Sequence, residues 1–285
     1  TAFLWAGSAL CFESAGHRMG SLAVNLIRLL MAFCMIGALG MLRFGAPIPL
    51  GVSSHAWTWL SISGLVGFTF GDLCLFRAYL VVGPRLSMVV MSLVPPIAAL
   101  LGWLAMGEAL TPLDLVAMFV TVGAVAWVGW ERRPDADGKH RRPSGQGVLL
   151  ALGGAFGQAG GLVLAKIGMG DMDPFQATQI RIITGAVGFA LVLSLTGRWS
   201  AVRAALRHRS GLAWTSAGTV FGPFLGVSAA LFAVQHTQTG VAATFMALSP
   251  IVIIPFVVLS GRERVSARGG IGSVIAVGGV ALLFY

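Results

Sequence analysis

Charged residues are scarce in this sequence. They make up 10% of its 285 residues, whereas hydrophobic residues make up 56% and the mean hydropathy is +0.87. Soluble proteins carry about 25% charged residues, so this chain lacks the polar surface that a water-soluble globule needs. The composition excludes a cytosolic enzyme, a disordered protein and a nucleic-acid-binding domain, and it predicts an integral membrane protein.

Cysteine and acidic residues are also few. The three cysteines (Cys11, Cys34 and Cys74) lie in apolar runs and form no CxxC pair, which favours small core residues over disulfides or metal ligands. We therefore expect neither a metal nor a cofactor. The excess of 19 Lys and Arg over 10 Asp and Glu would suggest nucleic-acid binding in a soluble protein, but in a membrane protein it marks cytoplasmic loops.

The hydrophobic residues are concentrated in ten runs, and all but the short first run are long enough to cross a bilayer as a helix of roughly 20 residues. These runs cover residues 1–15, 20–42, 57–82, 84–107, 112–130, 146–169, 174–196, 211–235, 240–260 and 267–285. The predicted fold is therefore all-α with ten transmembrane helices. The longest polar stretch, residues 132–145, is interpreted as a basic linker loop between a first five-helix unit, 1–131, and a second unit, 146–285.

The basic residues of the connections between spans lie almost entirely on one side of this arrangement. The connections on that side, which we call the basic side, include residues 132–142 and 198–209, whereas the loops of the opposite side contain Arg43 alone. We call the latter the Arg43 side. The positive-inside rule predicts that the basic side faces the cytoplasm and that both ends of the sequence lie outside, in a bacterial-type inner membrane.

The two predicted units repeat each other in sequence. Matches at a constant separation of 155 residues include Trp59 with Trp214, Pro95 with Pro250 and Glu108 with Glu263. Arg28 and Arg181 match at a separation of 153. Because each unit has an odd number of spans, the second must be inverted relative to the first, as in many secondary transporters. The alternative is a duplicated helical bundle without a transport function.

Two segments carry a resemblance to a known family. Residues 92–129 and the segment from Leu248 onward each contain a proline in an apolar helix, a short turn with Glu, and a glycine-punctuated helix. This pattern resembles the EamA type of the drug/metabolite transporter superfamily, over essentially the whole chain. The chain looks most like the YddG-type exporters of aromatic and other neutral amino acids.

The resemblance implies a central cavity lined by spans 1–4 and 6–9, with spans 5 and 10 at the periphery. It also implies an orientation that disagrees with the charges. Many ten-helix relatives have both termini in the cytoplasm, whereas the basic loops of this chain predict the reverse.

Two ionisable residues lie near the centres of predicted spans. Arg28 and Asp72 are each displaced by about 4 Å from the centre of their span toward the basic side, so we expect them at similar depth and able to pair. Ionisable residues inside a membrane are costly and often functional. Asp72 is either a structural partner of Arg28 or a cavity group that binds a substrate ammonium or a coupling proton.

Arg181 has no acidic partner in its own unit, because Val227 stands at the position equivalent to Asp72. Three arrangements remain open for it. Its side chain reaches the membrane surface, hydrogen-bonds to Gln158 or Gln179, or meets a substrate carboxylate.

Two further charged residues are expected near span ends. Lys166 is predicted to extend toward the membrane surface, and Glu108, in a tight turn, is predicted to anchor a loop.

Prolines near the middle of spans 4 and 9 are candidate hinges for alternating access. Each proline removes a backbone hydrogen bond, and the three are Pro95, Pro96 and Pro250. Aromatic and methionine side chains on neighbouring spans, with the polar residues above, form the predicted binding pocket. Its candidate residues are Trp5, Phe12, Asp72, Tyr79, Met91, Phe156, Gln158, Arg181 and Phe245.

The sequence therefore predicts a monomeric exporter of small metabolites in a lipid bilayer. Neutral or aromatic amino acids are the favoured substrates. A drug or nucleoside exporter of the same fold is the alternative, and the sequence leaves proton coupling and facilitated transport both open. An intramembrane enzyme is a remote alternative. The segment Ser61–Gly64 loosely resembles a serine-protease turn, but no HExxH, P-loop or GxSxG motif is present.

Overall fold

The structure, a computed structural model, describes residues 1–129, 144–249, 251–252 and 267–282, and these ranges contain helices and connections but no β-strand. The helices are α1 Ala2–Met19, α2 Ser21–Phe44, α3 Ser54–Gly64, α4 Asp72–Met91, α5 Val94–Met106, α6 Pro112–Gly129, α7 Gly145–Met169, α8 Pro174–Leu195, α9 Trp199–Ala205, α10 Arg209–Thr219, α11 Val227–His236, α12 Thr239–Met246 and α13 Ala267–Ala281. Two π-helical segments, π1 Leu65–Gly71 and π2 Val220–Gly226, join α3 to α4 and α10 to α11.

Five helical stretches of the described residues are long and apolar enough to cross a membrane. They are Ser21–Phe44, Ser54–Ala78, Gly145–Met169, Pro174–Leu195 and Arg209–His236. Val94–Met106, Pro112–Trp127 and Gly270–Ala281 are apolar but shorter. The helical membrane character expected from composition is thus confirmed, whereas the count of ten spans stays a prediction.

The sequence repeat has a counterpart in the backbone. A shift of 155 residues carries α3 onto α10, π1 onto π2 and Asp72, the first residue of α4, onto Val227, the first residue of α11. π-helical turns are rare and occur often at functional sites. Their occurrence at the same place in both halves indicates a shared structural feature. In the second half it also accommodates Pro223, which has no N–H to donate.

The prolines expected in the middle of a span begin a helix instead. Helix α4 continues through Gly83-Pro84 to Met91, and the break comes at Ser92-Leu93. Pro95 and Pro96 therefore lie in the first turn of α5, where the missing N–H groups would have no partner within the helix. The predicted mid-helix position is wrong for both, and the predicted boundary between spans 3 and 4 is displaced. Pro250 lies outside the described residues.

Helices of the two halves pack against each other. Helix α7 packs on α3 and π1, and α1 packs on α10 and π2, which is the equivalent pairing in the repeat. Helix α8 packs on α2 and α3, while α13 packs on α6. This last pair corresponds to the fifth and tenth spans, which the family resemblance places at the periphery.

Glycines allow π1 and α7 to approach closely. A Cβ added to Gly157 would lie 2.5 Å from Cα of Gly71, and one added to Gly161 would lie 2.9 Å from Cα of Gly67. Small residues at helix crossings permit this backbone-to-backbone contact in membrane proteins. The crossing brings π1, α7 and α8 together around one buried region.

Candidate functional site

A buried hydrogen-bonded cluster joins helices from both halves. Arg28 of α2 and Asp72 of α4 are only 5% and 4% exposed. One Nη of Arg28 donates to Oδ2 of Asp72, and Nε2 of Gln158, on α7, donates to Oδ1 of the same carboxylate at 3.0 Å. The predicted pairing of Arg28 with Asp72 is confirmed, and both oxygens of Asp72 accept hydrogen bonds.

Aromatic rings surround the Arg28 guanidinium. Its central carbon lies 5.2 Å from the centroid of the Phe12 ring and 5.7 Å from that of Phe76. A cation over an aromatic face is stabilised by the ring quadrupole, most strongly when both groups are desolvated. Phe12, which is buried, thereby connects α1 to the cluster.

Arg181 is as deeply buried as Arg28 but has no hydrogen-bonding partner for its side chain within the described part of the chain. It is 3% exposed, and its Nε is buried without a partner. Its guanidinium lies 5.0 Å from the centroid of the Phe68 ring. Of the arrangements that the sequence left open, extension to the membrane surface is therefore not found.

Neither glutamine considered as a partner of Arg181 serves that role. Gln158 donates to Asp72, and Nε2 of Gln179 donates to the carbonyl oxygens of Phe33 and Pro47, each at 3.1 Å. Asp72 interacts electrostatically with Arg181 but accepts its hydrogen bonds from Arg28 and Gln158.

Where π1 contacts α7 beside Arg181, both elements carry a glycine. A Cβ added to Gly67 would lie 3.1 Å from Nη2 of Arg181, and one added to Gly161 would lie 3.4 Å from it. The two glycines thus leave the space that the guanidinium occupies. Larger residues at either position would displace the side chain or separate the helices.

The remaining predicted pocket residues are dispersed. Trp5 packs on the core with its indole N–H buried and without a partner among the described residues, and Met91 and Phe245 are half-buried. Phe156 is 54% exposed, on the same face of α7 as Leu149, and it does not join the cluster. The side chain of Tyr79 lies outside the described part of the structure.

A second polar network, on the Arg43 side of the predicted topology, was not foreseen in full. Nζ of Lys166 lies 2.6 Å from Oε1 of Glu108 and also donates to the carbonyl oxygen of Thr237. Oε2 of Glu108 accepts from the backbone N–H of Thr239 at 2.9 Å. We call these residues the Glu108 network. The role of Glu108 as a loop anchor is confirmed, whereas the predicted extension of Lys166 to the surface is wrong.

The described residues contain no group of three or more His, Cys, Asp and Glu side chains able to hold a metal ion. The side chains of the buried cluster supply charges, hydrogen bonds and aromatic contacts. Sequence reasoning had not selected Phe76 as a site residue. Its position four residues after Asp72 in α4 was the available signal, since residues four apart share a helix face.

These features define a helical membrane protein in which both halves contribute side chains to one buried charged cluster. The sequence model of the EamA-like transporter family matches residues 1–130 and 145–285. The chain belongs to this family, which is part of the drug/metabolite transporter superfamily. It is therefore a multi-pass membrane protein of a family of transporters rather than enzymes.

Comparison with solved structures shows a shared fold. Among 27 matching chains is a crystal structure of a protein with 19% sequence identity, and the match covers 99% of this chain and 92% of that one with a TM-score of 0.76. No curated protein matches the sequence.

Proposed function

We propose that this protein is a secondary transporter that exports small metabolites, above all neutral and aromatic amino acids, by alternating access around a site near the membrane midplane. The observation that carries the proposal is the buried cluster of Arg28, Asp72 and Gln158 beside Arg181. Charged groups within a membrane domain are expensive and mark substrate or ion pathways. Here they come from helices of both matched regions.

The proposed architecture is ten spans in two inverted units, 1–131 and 146–285, with loops 132–142 and 198–209 in the cytoplasm. The equivalent bounds of π1 and π2, and the equivalent packing of α7 on π1 and of α1 on π2, support a two-fold relationship between the units. Inverted repeats of this kind exchange which side of a central site is open.

The Glu108 network supports a closed state of the Arg43 side. It joins the α5–α6 connection to the end of α7 and to the α11–α12 connection, where Nε2 of Gln238 also donates to the carbonyl oxygen of Ala109 at 2.9 Å. Opening toward that side requires these bonds to break. The helix breaks after α4 and after α12, beside Pro95, Pro96 and Pro250, are the proposed hinges.

The test is uptake by the full-length protein reconstituted in liposomes, with labelled amino acids and nucleosides presented with and without a pH gradient. We expect saturable uptake of neutral amino acids, with the largest rates for aromatic ones. Transport of nucleosides alone would replace the proposed substrate class, and no uptake of any compound would contradict the transporter assignment.

The role of Asp72 is tested in the same assay. Because both of its oxygens accept hydrogen bonds, the geometry supports a structural partner for Arg28. Stimulation by a pH gradient that is lost in Asp72→Asn, while its uptake without the gradient persists, would assign proton coupling to Asp72. Equal rates with and without the gradient would assign facilitated transport.

A further inference from the structure

The two equivalent arginines differ in their partners. Arg28 hydrogen-bonds to Asp72, whereas Arg181 makes no hydrogen bond or ion pair through its side chain with any described residue. Arg28, Asp72 and Arg181 are all at least nine-tenths buried, and together they carry one net positive charge. The site therefore contains one more cation than it contains anions.

An uncompensated buried guanidinium is unfavourable. Arginine keeps its charge in proteins, and burying a charge is expensive unless the group is paired and hydrogen-bonded. The Phe68 ring, 5.0 Å away, compensates for part of this cost. It accepts no hydrogen bond from the N–H groups in the plane of the guanidinium. Arg181 therefore lacks an anionic partner, and an anion with two acceptor oxygens would supply one.

We infer that Arg181 binds the carboxylate of the transported molecule and that Asp72 does not bind its ammonium group. This inference rests on the proposed function. A carboxylate matches the fork of N–H donors of arginine and forms paired, charge-assisted hydrogen bonds with it. Each oxygen of Asp72 already accepts a hydrogen bond, one from Arg28 and one from Gln158, and the charge of Arg28 balances that of Asp72, so the site does not need a substrate ammonium. The inferred substrate class is therefore apolar carboxylates, with or without an amino group.

The structure also indicates how Arg181 is uncovered. Its guanidinium lies beneath the contact of π1 with α7, at Gly67 and Gly161. No side chain has to be displaced there when the two elements separate, because neither glycine carries one. A separation of π1 from α7 in the open state exposes the donors of Arg181.

Competition against labelled L-phenylalanine uptake in proteoliposomes tests the inference. The competitors are 3-phenylpropionate, which lacks the amino group, and phenylethylamine and phenylalanine amide, which lack the carboxylate. We expect the inhibition constant of 3-phenylpropionate to lie within a few-fold of that of L-phenylalanine. The other two compounds should inhibit about tenfold or more weakly, because each lacks the charge-assisted hydrogen bonds of a carboxylate. Inhibition by phenylethylamine as strong as that by 3-phenylpropionate would overturn the inference.

Variants locate the effect. Arg181→Gln is expected to weaken binding of L-phenylalanine about tenfold or more and to abolish the preference for carboxylates over amides, while Arg181→Lys retains part of that preference. The matched control is Arg77→Gln, which removes an exposed arginine of α4. It is expected to change neither the affinity for L-phenylalanine nor the preference for carboxylates. A preference for carboxylates that persists in Arg181→Gln would contradict the inference.

Thermal unfolding of the purified protein separates this inference from the proposed function. Paired carboxylates and amides of several apolar scaffolds are added to wild type and to Arg181→Gln. Stabilisation by carboxylates that requires Arg181, without uptake of L-phenylalanine, would contradict the proposed amino-acid substrate and support the carboxylate site. Uptake of L-phenylalanine without any Arg181-dependent stabilisation by carboxylates would contradict the carboxylate site alone.

Discussion

Arg28 and Arg181 occupy equivalent positions in α2 and α8, and of these two arginines Arg28 hydrogen-bonds to a carboxylate, whereas the side chain of Arg181 has no hydrogen-bonding partner among the described residues. The asymmetry arises from one position, because Val227 stands where the first half has Asp72. The backbone is repeated at this place, with π1 and π2 preceding the two residues. At this place the two halves thus share their backbone but not their charge, which makes the site asymmetric within a repeated frame.

Removing the charge of Asp72 is expected to destabilise the protein strongly. Asp72→Asn leaves Arg28 buried without an anion, next to a second unpaired arginine, and breaking a buried ion pair costs about 3–5 kcal/mol. We expect a lower yield of folded protein and a lower thermal midpoint in detergent. A midpoint equal to that of wild type would contradict the structural importance of the pair.

The matched control removes both charges. In Arg28→Gln with Asp72→Asn the two side chains keep similar shapes and can still hydrogen-bond, and replacing a whole buried pair is often close to neutral. The double variant is therefore expected to be more stable than Asp72→Asn alone. Equal destabilisation of the single and double variants would show that the two charges do not act as a pair.

The contact between π1 and α7 is expected to be sensitive to a single methyl group. In Gly161→Ala the added Cβ would lie 2.9 Å from Cα of Gly67, and overpacking of this kind costs about 1–3 kcal/mol. Gly160, the adjacent residue, is the control, since its nearest neighbour would be Cγ1 of Val66 at 3.4 Å. Thermal midpoints should fall in Gly161→Ala and change little in Gly160→Ala, and equal midpoints would contradict the close contact.

The sequence predicted those parts of the fold that depend on hydrophobicity and spacing. Depth along a span follows from counting residues, so the pairing of Arg28 with Asp72 could be expected. The direction in which a side chain points around the helix axis could not be predicted in the same way, because a π-helical turn changes the rotation of every residue after it. Phe156, which lies in the regular helix α7, was also selected although its side chain is 54% exposed.

Long-range contacts of loops were also beyond the sequence. Lys166 lies 58 residues from Glu108, and no pattern in either segment indicates that their helix ends meet. A lysine near the end of a span reaches the surface unless an acceptor is closer. Here Glu108 and the carbonyl oxygen of Thr237 supply acceptors.

The Glu108 network is expected to stabilise the closed Arg43 side. Glu108→Gln removes the negative charge that faces Lys166 and should shift the population toward the state open on that side. The measurement is thiol labelling from the Arg43 side of a cysteine introduced at Ser228, a buried residue in the first turn of α11, in a background without the three native cysteines. We expect faster labelling in Glu108→Gln than in the cysteine variant alone.

The control for that experiment is a more exposed ion pair on the same side. Arg43 lies 3.2 Å from Asp173, and the Arg43 side chain is 49% exposed, so solvent screens the interaction and its contribution is small. Arg43→Gln should leave the labelling rate unchanged. An equal increase in both variants would indicate a general effect of charge at the surface instead of a specific closure.

The charge distribution predicts the orientation of the chain. Loops 132–142 and 198–209 hold most of the basic loop residues, so a reporter that is active only outside the cytoplasm should be active when fused after Tyr285. A second fusion within the linker, after Gly138, should be inactive. Activity of the linker fusion and inactivity of the terminal fusion would reverse the orientation and agree with the resemblance to ten-helix relatives.

Phe68 and Phe156 distinguish a residue of the site from one on the outer surface. Phe68 is 4% exposed and its ring lies under Arg181, so Phe68→Leu removes a desolvated cation–π contact of about 2 kcal/mol. Phe156 is 54% exposed, so Phe156→Leu exchanges one exposed apolar side chain for another. We expect Phe68→Leu to change the KM for L-phenylalanine and to lower the thermal midpoint, and Phe156→Leu to change neither. A larger effect of Phe156→Leu on KM would return Phe156 to the substrate site and place the transport route along the outward face of α7.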